Sequence, residues 1–422
     1  MKQRVEILCF RAIRFSVACL FGGLSIPSLA QETIYKDGIT YHVLDGNKLE
    51  VTQKYDFNEI MAFQNYGEES IIIPDTVVYE DNTYIVTSIG KLAFEFCSNL
   101  NSVSLPNSLT TIRDAAFIQT KLKRIVIPEN VSSIEQSAFS GCTQLEEVVL
   151  PSKITSIPYN CFMGSKIKTI EIPRNVSEIG PTAFGACHSL ETIILPDGLT
   201  TIGNGAFGEC NSLVEIRLPE TVRKIGGDVD DYYYTGAFED CINLSYIRIP
   251  EGVESIGIAT FSNCSSLVLA VIPSTVTQIG KNAFAHCDKL KSIYCFNPNP
   301  IEVGTDVFCS AYYGEEVPAL EDLPIVDLCT LYVPTGSKTA YEKHEVWGVF
   351  NIEEFDPESL DLDELERLHG SVLTKINNLP DQSLCIPEIY YGINAQKMFG
   401  LQDGINIIRF SNGETRKIYK IK

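Results

Sequence analysis

The stretch Val176–Pro196, VSEIGPTAFGACHSLETIILP, decides how the chain folds. Its apolar residues are Val176, Ile179, Ala183, Phe184, Cys187, Leu190, Ile193 and Leu195. The following stretch matches them with Leu199, Ile202, Ala206, Phe207, Cys210, Leu213, Ile216 and Leu218. The alternation Ile193-x-Leu195 marks a short strand with one buried face. Pro196 ends it, because proline cannot donate to a ladder of parallel strands. Ala183-Phe184 falls opposite the strand, in a tight turn or a single helical turn, where the small alanine lets the backbone come close.

Prolines mark the period. Pro106, Pro128, Pro151, Pro173, Pro196 and Pro219 stand 22 or 23 residues apart, Pro74 precedes them by 32, Pro250 follows by 31, and Pro273 restores the 23. Self-similarity at such a period is the mark of a solenoid. A lone coil buries too little apolar surface to offset the entropy of ordering its backbone, whereas stacking covers both flat sides of every coil. The expected fold is an α/β solenoid whose nine strands, about 4.8 Å apart, form a parallel sheet about 40 Å long. Two coils are a residue short: AAFIQTKL lacks the cysteine, and NCFMGSKI carries Cys161 where alanine belongs. Local bulges are expected in both.

One segment looks like chemistry. TIGNGAFGEC, Thr201–Cys210, contains a formal G-x-G-x-x-G at Gly203, Gly205 and Gly208. A phosphate loop needs a strand before it and a long helix after it, and no helical pattern follows. Gly203 aligns with Gly90, Gly180, Gly257 and Gly280, which reads as a turn position where a positive φ is cheap. Gly205 and Gly208 stand at positions filled elsewhere by Thr182 and Gly185, Asn282 and Ala285, or Ser137 and Ser140.

The pattern V-x-x-I-G-x-x-A-F-x-x-C-x-x-L-x-x-I-x-I-P, over about residues 71–295, resembles the BspA-like bacterial leucine-rich repeats. TLYVPTGSKTAYEKHEVWGVFNIEEF, Thr330–Phe355, resembles that family's closing segment, and YKDGITYHVL with YEDNTYIVTSIG its opening cap. The resemblance implies a right-handed coil with a curved parallel β-sheet, a β-rich cap before it and a small β segment after it. It also implies a secreted or surface binding protein of the kind implicated in adhesion, with no catalytic centre.

The expected organisation is an export signal over 1–30, a β cap over 31–70, the repeat domain with its closing segment over 71–355, an acidic linker over 356–384 and a C-terminal β segment over 385–422. The signal reading rests on Lys2, Arg4, Arg11 and Arg14 ahead of the apolar FSVACLFGGLSIPSLA, with small residues at Ser28-Leu29-Ala30. Cys19 is a candidate for lipid attachment, although Arg14 stands too close for an apolar stretch before it. Within the linker, DPESLDLDELERLHG reads as a short exposed acidic helix. GINIIRFSNGETRKIYKIK alternates around Asn412-Gly413 as a β-hairpin does. It resembles the C-terminal sorting domain of the type IX secretion route, but Tyr391-Gly392-Ile393-Asn394-Ala395 departs from the usual Asn-Gly or Asp-Gly placement.

The 422 residues carry 54 acids against 33 bases, a net charge of -21. Residues 1–30 hold four of the bases and one acid, so the rest has 29 bases against 53 acids. Such a body repels phosphate backbones and anionic lipid, so nucleic acid is not an expected partner.

Seven of the 14 cysteines, Cys97, Cys142, Cys187, Cys210, Cys241, Cys264 and Cys287, share one repeat position and should form an inward column of small apolar groups. Cys309 and Cys329 form the better disulfide pair. No C-x-x-C suggests zinc, and no cofactor is expected. Cys187-His188 and His286-Cys287 resemble catalytic neighbours, but alternation turns the cysteine inward and the histidine out. A hydrolase would have to use residues 296–330.

A binding surface is the stronger reading. Ser104, Val126, Val149, Glu171, Ile194, Arg217, Arg248, Val271 and Tyr294 face outward from the strands, with Arg124, Glu147, Glu215, Tyr246 and Leu269 beside them. Arg217, Arg248, Tyr246 and Tyr294 gather near the insertion GGDVDDYYYTG, Gly226–Gly236, which adds Tyr232, Tyr233 and Tyr234. Arginine and tyrosine are favoured anchors of interfaces. The aspartates of the insertion lack the spacing of a calcium loop. The expected function is a non-enzymatic, monomeric, extracellular or cell-surface binder of a host protein or glycan, and the alternative is a structural spacer without a discrete ligand.

Overall fold

The computed structural model describes residues 33–55, 63–64, 66–227, 236–304, 306–309, 324–369, 387–391, 397–398, 404–410 and 415–420. The segment expected to be an export signal, the tyrosines of the insertion and most of residues 305–323 lie outside them. The chain divides into two compact units, Met1–Gly208 and Glu209–Lys422.

The first unit opens with antiparallel strands Thr33–Lys36, Ile39–Leu44 and Lys48–Thr52, the last of which pairs in parallel with Asn82–Ile89. Coils follow. Each offers a front strand such as Thr192–Ile194 and a two-residue strand such as Glu178–Ile179 at a second edge. Between them the back turns pile up phenylalanines. Tyr66, Phe94, Phe117, Phe139, Phe162, Phe184 and Phe207 follow one another with centroids 4.9–5.7 Å apart. Tyr66 starts the column because its hydroxyl is anchored in the cap, donating to Thr52 O at 2.7 Å and accepting from Thr40 N–H at 3.2 Å.

The backs are not helices, so the architecture is a β-solenoid rather than an α/β one. Phe184 N–H donates to Ala206 O of the next coil at 2.9 Å, while Gly185 N–H closes onto Thr182 O and Cys187 N–H onto Phe184 O. Every second donor thus leaves the coil. Positive φ makes this possible, at Thr182 (50°) and Ala186 (55°), and likewise at Leu92 and Phe96 or Asn282 and His286. A helix cannot run through such residues.

This reassigns the glycines. Gly205 has φ +58°, at the position that sequence alignment treats as variable, while Gly203 has no positive φ. A Cβ on Gly203 would lie 2.6 Å from Pro181 N, and one on Gly180 2.9 Å from Tyr159 N. These glycines admit the neighbouring backbone; they do not supply a turn.

The short coils do not bulge. Thr120 and Ser165 occupy the cysteine position and are buried, and the back ladder passes through undisturbed, with Phe117 N–H to Ala138 O and Phe162 N–H to Ala183 O both 2.8 Å. The missing residue comes out of the connector ahead of the strand. A full coil turns there, Leu190 N–H closing onto Cys187 O, whereas Lys121 and Lys166 donate instead to Leu100 O and Leu145 O of the preceding coil. The front sheet breaks at both places. It falls into pairs, Ser70–Ile72 with Ser102–Ser104, Arg124–Val126 with Glu147–Val149, and Thr169–Glu171 with Thr192–Ile194. The continuous sheet expected from the period is therefore absent from the first unit. Within the first unit the second-edge ladder breaks once, between Ser133–Ile134 and Ser156–Ile157. There Pro158 has no N–H for Ile134 O, where Gly180 N–H reaches Ile157 O at 2.8 Å.

The second unit does carry a continuous front sheet. Tyr246–Arg248, Leu269–Ile272, Ser292–Cys295, Thr330–Pro334 and Asn351–Phe355 pair in parallel in that order. Its aromatic column runs Phe238, Phe261, Phe284, Phe308 and ends against Trp347 and Phe350 edge-on. Trp347 is fixed by Nε1–H donating to Ile301 O at 2.8 Å. The unit's described α-helices are α1 (Pro324–Leu328), α2 (Lys338–Glu342) and α3 (Leu362–His369). Strands Pro387–Tyr391, Lys397–Met398, Gly404–Phe410 and Thr415–Lys420 form an antiparallel sheet, in which the last two pair with each other.

The cysteine column is inward and none of its seven cysteines is in a disulfide. Cys142, Cys187, Cys264 and Cys287 each donate S–H to the phenylalanine carbonyl of the preceding coil, 3.1–3.3 Å away. Cys309 and Cys329 are also free, against the expected disulfide, and the Cys329 thiol faces Thr330 O at 3.9 Å.

Candidate functional site

The outward residues of the second unit come together through strand register. Arg248 stands beside Val271, Val271 beside Tyr294, Tyr294 beside Tyr332 and Tyr332 beside Glu353. The parallel row runs Tyr246, Leu269, Ser292. Tyr246, Arg248 and Tyr294 thus share one face, as the sequence predicts.

Arg217 does not join them by strand pairing. Its coil contributes no strand to the described sheet, although Val214 O still accepts Ser245 N–H at 2.9 Å. Arg217 is exposed, and Glu215 of the same segment is buried. Tyr232, Tyr233 and Tyr234 fall outside the described residues.

The main correction concerns exposure. Tyr246, Leu269 and Val271 point away from the coil interior yet are only 3%, 0% and 2% exposed. They form an apolar cluster of their own, against which Tyr294, Phe296, Leu362 and Leu365 pack. Leu362 and Leu365 belong to α3, so the acidic segment expected to stand free in solvent lies over the sheet instead. Glu364 N–H donates to Asp361 Oδ1 at 2.9 Å, so Asp361 caps the helix start. Arg248 is half-buried at the edge of the cluster, with Nη2 3.0 Å from Glu220 Oε1 and Nη1 3.7 Å from Asp363 Oδ1.

Beyond α3 the face becomes an aromatic shelf. Tyr294 and Tyr332 stack at 4.4 Å and 7°, and Phe355 meets Tyr294 and Phe296 edge-on at 5.4 and 5.0 Å. Burial, with Tyr332 and Glu353 nearby, raises the Tyr294 phenol above its ordinary value. Burial, with Glu353 nearby, does the same for Tyr332, so both stay neutral donors at physiological pH. Sequence reasoning missed Tyr332, Phe296 and Phe355 because they lie in or next to the closing segment, outside the repeat alignment. The alternation in TLYVP was the available signal.

Neither of two described clefts suits a small substrate. One, of about 40 Å³, is lined by Arg248, Val271, Pro273, Phe296 and Leu362; the other, of about 120 Å³, lies at Asp37–Ile39, Tyr66 and Ser70–Ile72. Small-molecule sites run to roughly 300–1,000 Å³. Among the described residues no group of three His, Cys, Asp or Glu side chains could hold a metal ion, and no helix is long and apolar enough to cross a membrane.

Comparison with known proteins adds the family. Solved structures similar to the chain include a leucine-rich repeat protein from Bacteroides ovatus ATCC 8483, 22% identical over 76% of this chain and 100% of that one, with a TM-score of 0.38. The pneumococcal vaccine antigen PcpA is 18% identical over 77% of this chain and 98% of its own, with a TM-score of 0.43. A leucine-rich cell surface protein of Faecalibacterium prausnitzii A2-165 is 22% identical over 64% and 94%, with a TM-score of 0.30. No curated protein matches the chain. The model of the BspA type leucine-rich repeat region matches residues 59–191 and 178–314, in six copies, so that more than half of the sequence obeys one repeat rule and the chain belongs to the BspA-type leucine-rich repeat family.

Proposed function

We propose that this is an exported, non-enzymatic binding protein that holds an extracellular protein or glycan against the outward face of the sheet in its second unit. The observation that carries this reading is the aromatic shelf: Tyr294 stacked on Tyr332 at 4.4 Å, with Phe296 and Phe355 beside them, all half-buried on a sheet face. Rigid aromatic rings offer large contact area for little loss of side-chain freedom, and their faces suit both apolar protein patches and the C–H faces of sugars. Arg248 adds a donor at the far end of the same row. The basic and apolar start of the chain, with the strand-rich tail, supports export and a surface or secreted address.

The test is retention of mature protein on a glycan array and on immobilised extracellular matrix proteins. Tyr294→Ala/Tyr332→Ala should reduce retention at least about tenfold, the loss expected when two central anchors go. Undiminished retention would move the site elsewhere. A spacer without a discrete ligand is the second reading, favoured by the coverage of Tyr246, Leu269 and Val271 by the chain's own helix. Absence of any retained ligand would support it.

A further inference from the structure

We infer that the covered part of this face is a receptor for an acidic amphipathic helix, that α3 is its resident occupant, and that a partner's helix of the same chemistry replaces α3. The inference deepens the binding reading, since it rests on the outward face being the contact surface.

Three observations carry it. First, the cluster Tyr246, Leu269 and Val271 faces outward and is nonetheless dry, and the groups packed on it from α3 are Leu362 and Leu365, three residues apart on one helix face. That is the anchor spacing by which a helix lies in an apolar groove. Second, one charge pair bridges helix and sheet: α3 begins Leu-Asp-Glu-Leu, and Asp363 Oδ1 stands 3.7 Å from Nη1 of Arg248. Arg248 is the one cation among the described residues lining the cleft, and Asp363 shares it with Glu220, with Glu251 also in the lining. Third, the fit is incomplete. A cleft of about 40 Å³ remains between Leu362 and the Arg248–Val271–Phe296 edge, and Asp363 stays largely in solvent. Helices of eight residues are marginal on their own, so docking is what holds α3 in shape.

The tether explains why such an occupant can be weak and still present. Only residues 356–361 separate α3 from the closing strand Asn351–Phe355, so the helix is held near its groove at an effective concentration on the order of millimolar. A competing helix must overcome that concentration, which keeps the face closed to weak or chance ligands. A better-fitting helix, one that also fills the cleft, displaces α3.

The experiment uses the full chain and a fluorescent peptide of residues 356–369. Leu362→Asp/Leu365→Asp should release the resident helix, so that the peptide binds this variant at least about tenfold more tightly than it binds the unmodified chain. Arg248→Glu in the released background should weaken binding, since it sets a carboxylate against Asp363; unchanged binding would overturn the charge part of the inference. A single Leu365→Ala change, which disturbs folding less, should give an intermediate gain. Absence of peptide binding to a released variant whose Tyr246–Ile272 amides keep native exchange protection overturns the inference, as does equal binding to both chains. So does concentration-dependent dimerisation of the unmodified chain that Leu365→Asp removes, because the helix would then serve a second copy. Failure here with Tyr294-dependent retention intact would leave the aromatic shelf standing as the site.

Discussion

The same strand position is open in one unit and shut in the other. Ile194, at the end of its strand in the first unit, is 46% exposed, and Ile72 is 76% exposed. Val271, at the matching position in the second, is 2% exposed. The strands themselves differ little: each carries a β-branched residue facing outward, and in each a proline stands two residues after it. What differs is that α3 reaches the second unit's face. Exposure of an outward column is therefore not a property of the repeat; it depends on a segment that the repeat does not encode.

The interior should ignore this difference. Phe184→Ala in the first unit and Phe261→Ala in the second both remove a fully buried ring from a stack, and each should cost about 3–5 kcal/mol in chemical denaturation. Unequal losses would show that one aromatic column matters more than the other. The outward positions should then separate. Val271→Ala should cost about 2 kcal/mol, as a buried side chain does, whereas Ile194→Ala should stay within about 0.5 kcal/mol. Equal costs at these two sites would mean that α3 does not cover the sheet in solution.

Alkali should act on both units together. Burial pushes the thiols of Cys142 and Cys187 up to about 11 in the first unit and Cys241 up to about 12 in the second. Each folded thiol keeps its proton beyond the ordinary value of about 9, so the stabilisation is complete below that pH and drains away as pH rises through the folded values. Denaturation midpoints should be flat from pH 7 to 8.5 and fall above 9. At neutral pH the same thiols should resist alkylation until the chain unfolds. The smallest effect belongs to charge: Asp363→Asn should change stability by less than about 0.5 kcal/mol, because the carboxylate is largely solvated, and its signature is loss of salt dependence in α3 docking, read by hydrogen exchange.

Much of this was legible beforehand. The inward columns follow from period alone: Phe184 over Phe207 and Cys187 on the strand side of its turn are what stacking 23-residue windings requires. The face shared by Tyr246, Arg248 and Tyr294 follows from alternation. The backbone was harder to read. Positive φ falls on Leu92, Phe96 and Gln119, residue types that give no sign of it, because inter-coil hydrogen bonds impose the conformation. Pro158 breaks the second-edge ladder by the donor it lacks, which becomes visible only once Ile134 O is placed. The cover of α3 could not be foreseen from the repeat, since Leu362 and Leu365 gain meaning only beside Leu269 and Val271.

The short coils have a consequence for how this scaffold tolerates change in length. Thr120 and Ser165 keep the back of the winding in step while Lys121 and Lys166 take up the lost residue, so a deletion there is absorbed within a single rung and the rungs after it resume their alignment. Slack at one corner, with the other corners clamped, means that a residue can be trimmed from the winding without sending an error into the coils that follow; the toll is a local gap in the front sheet.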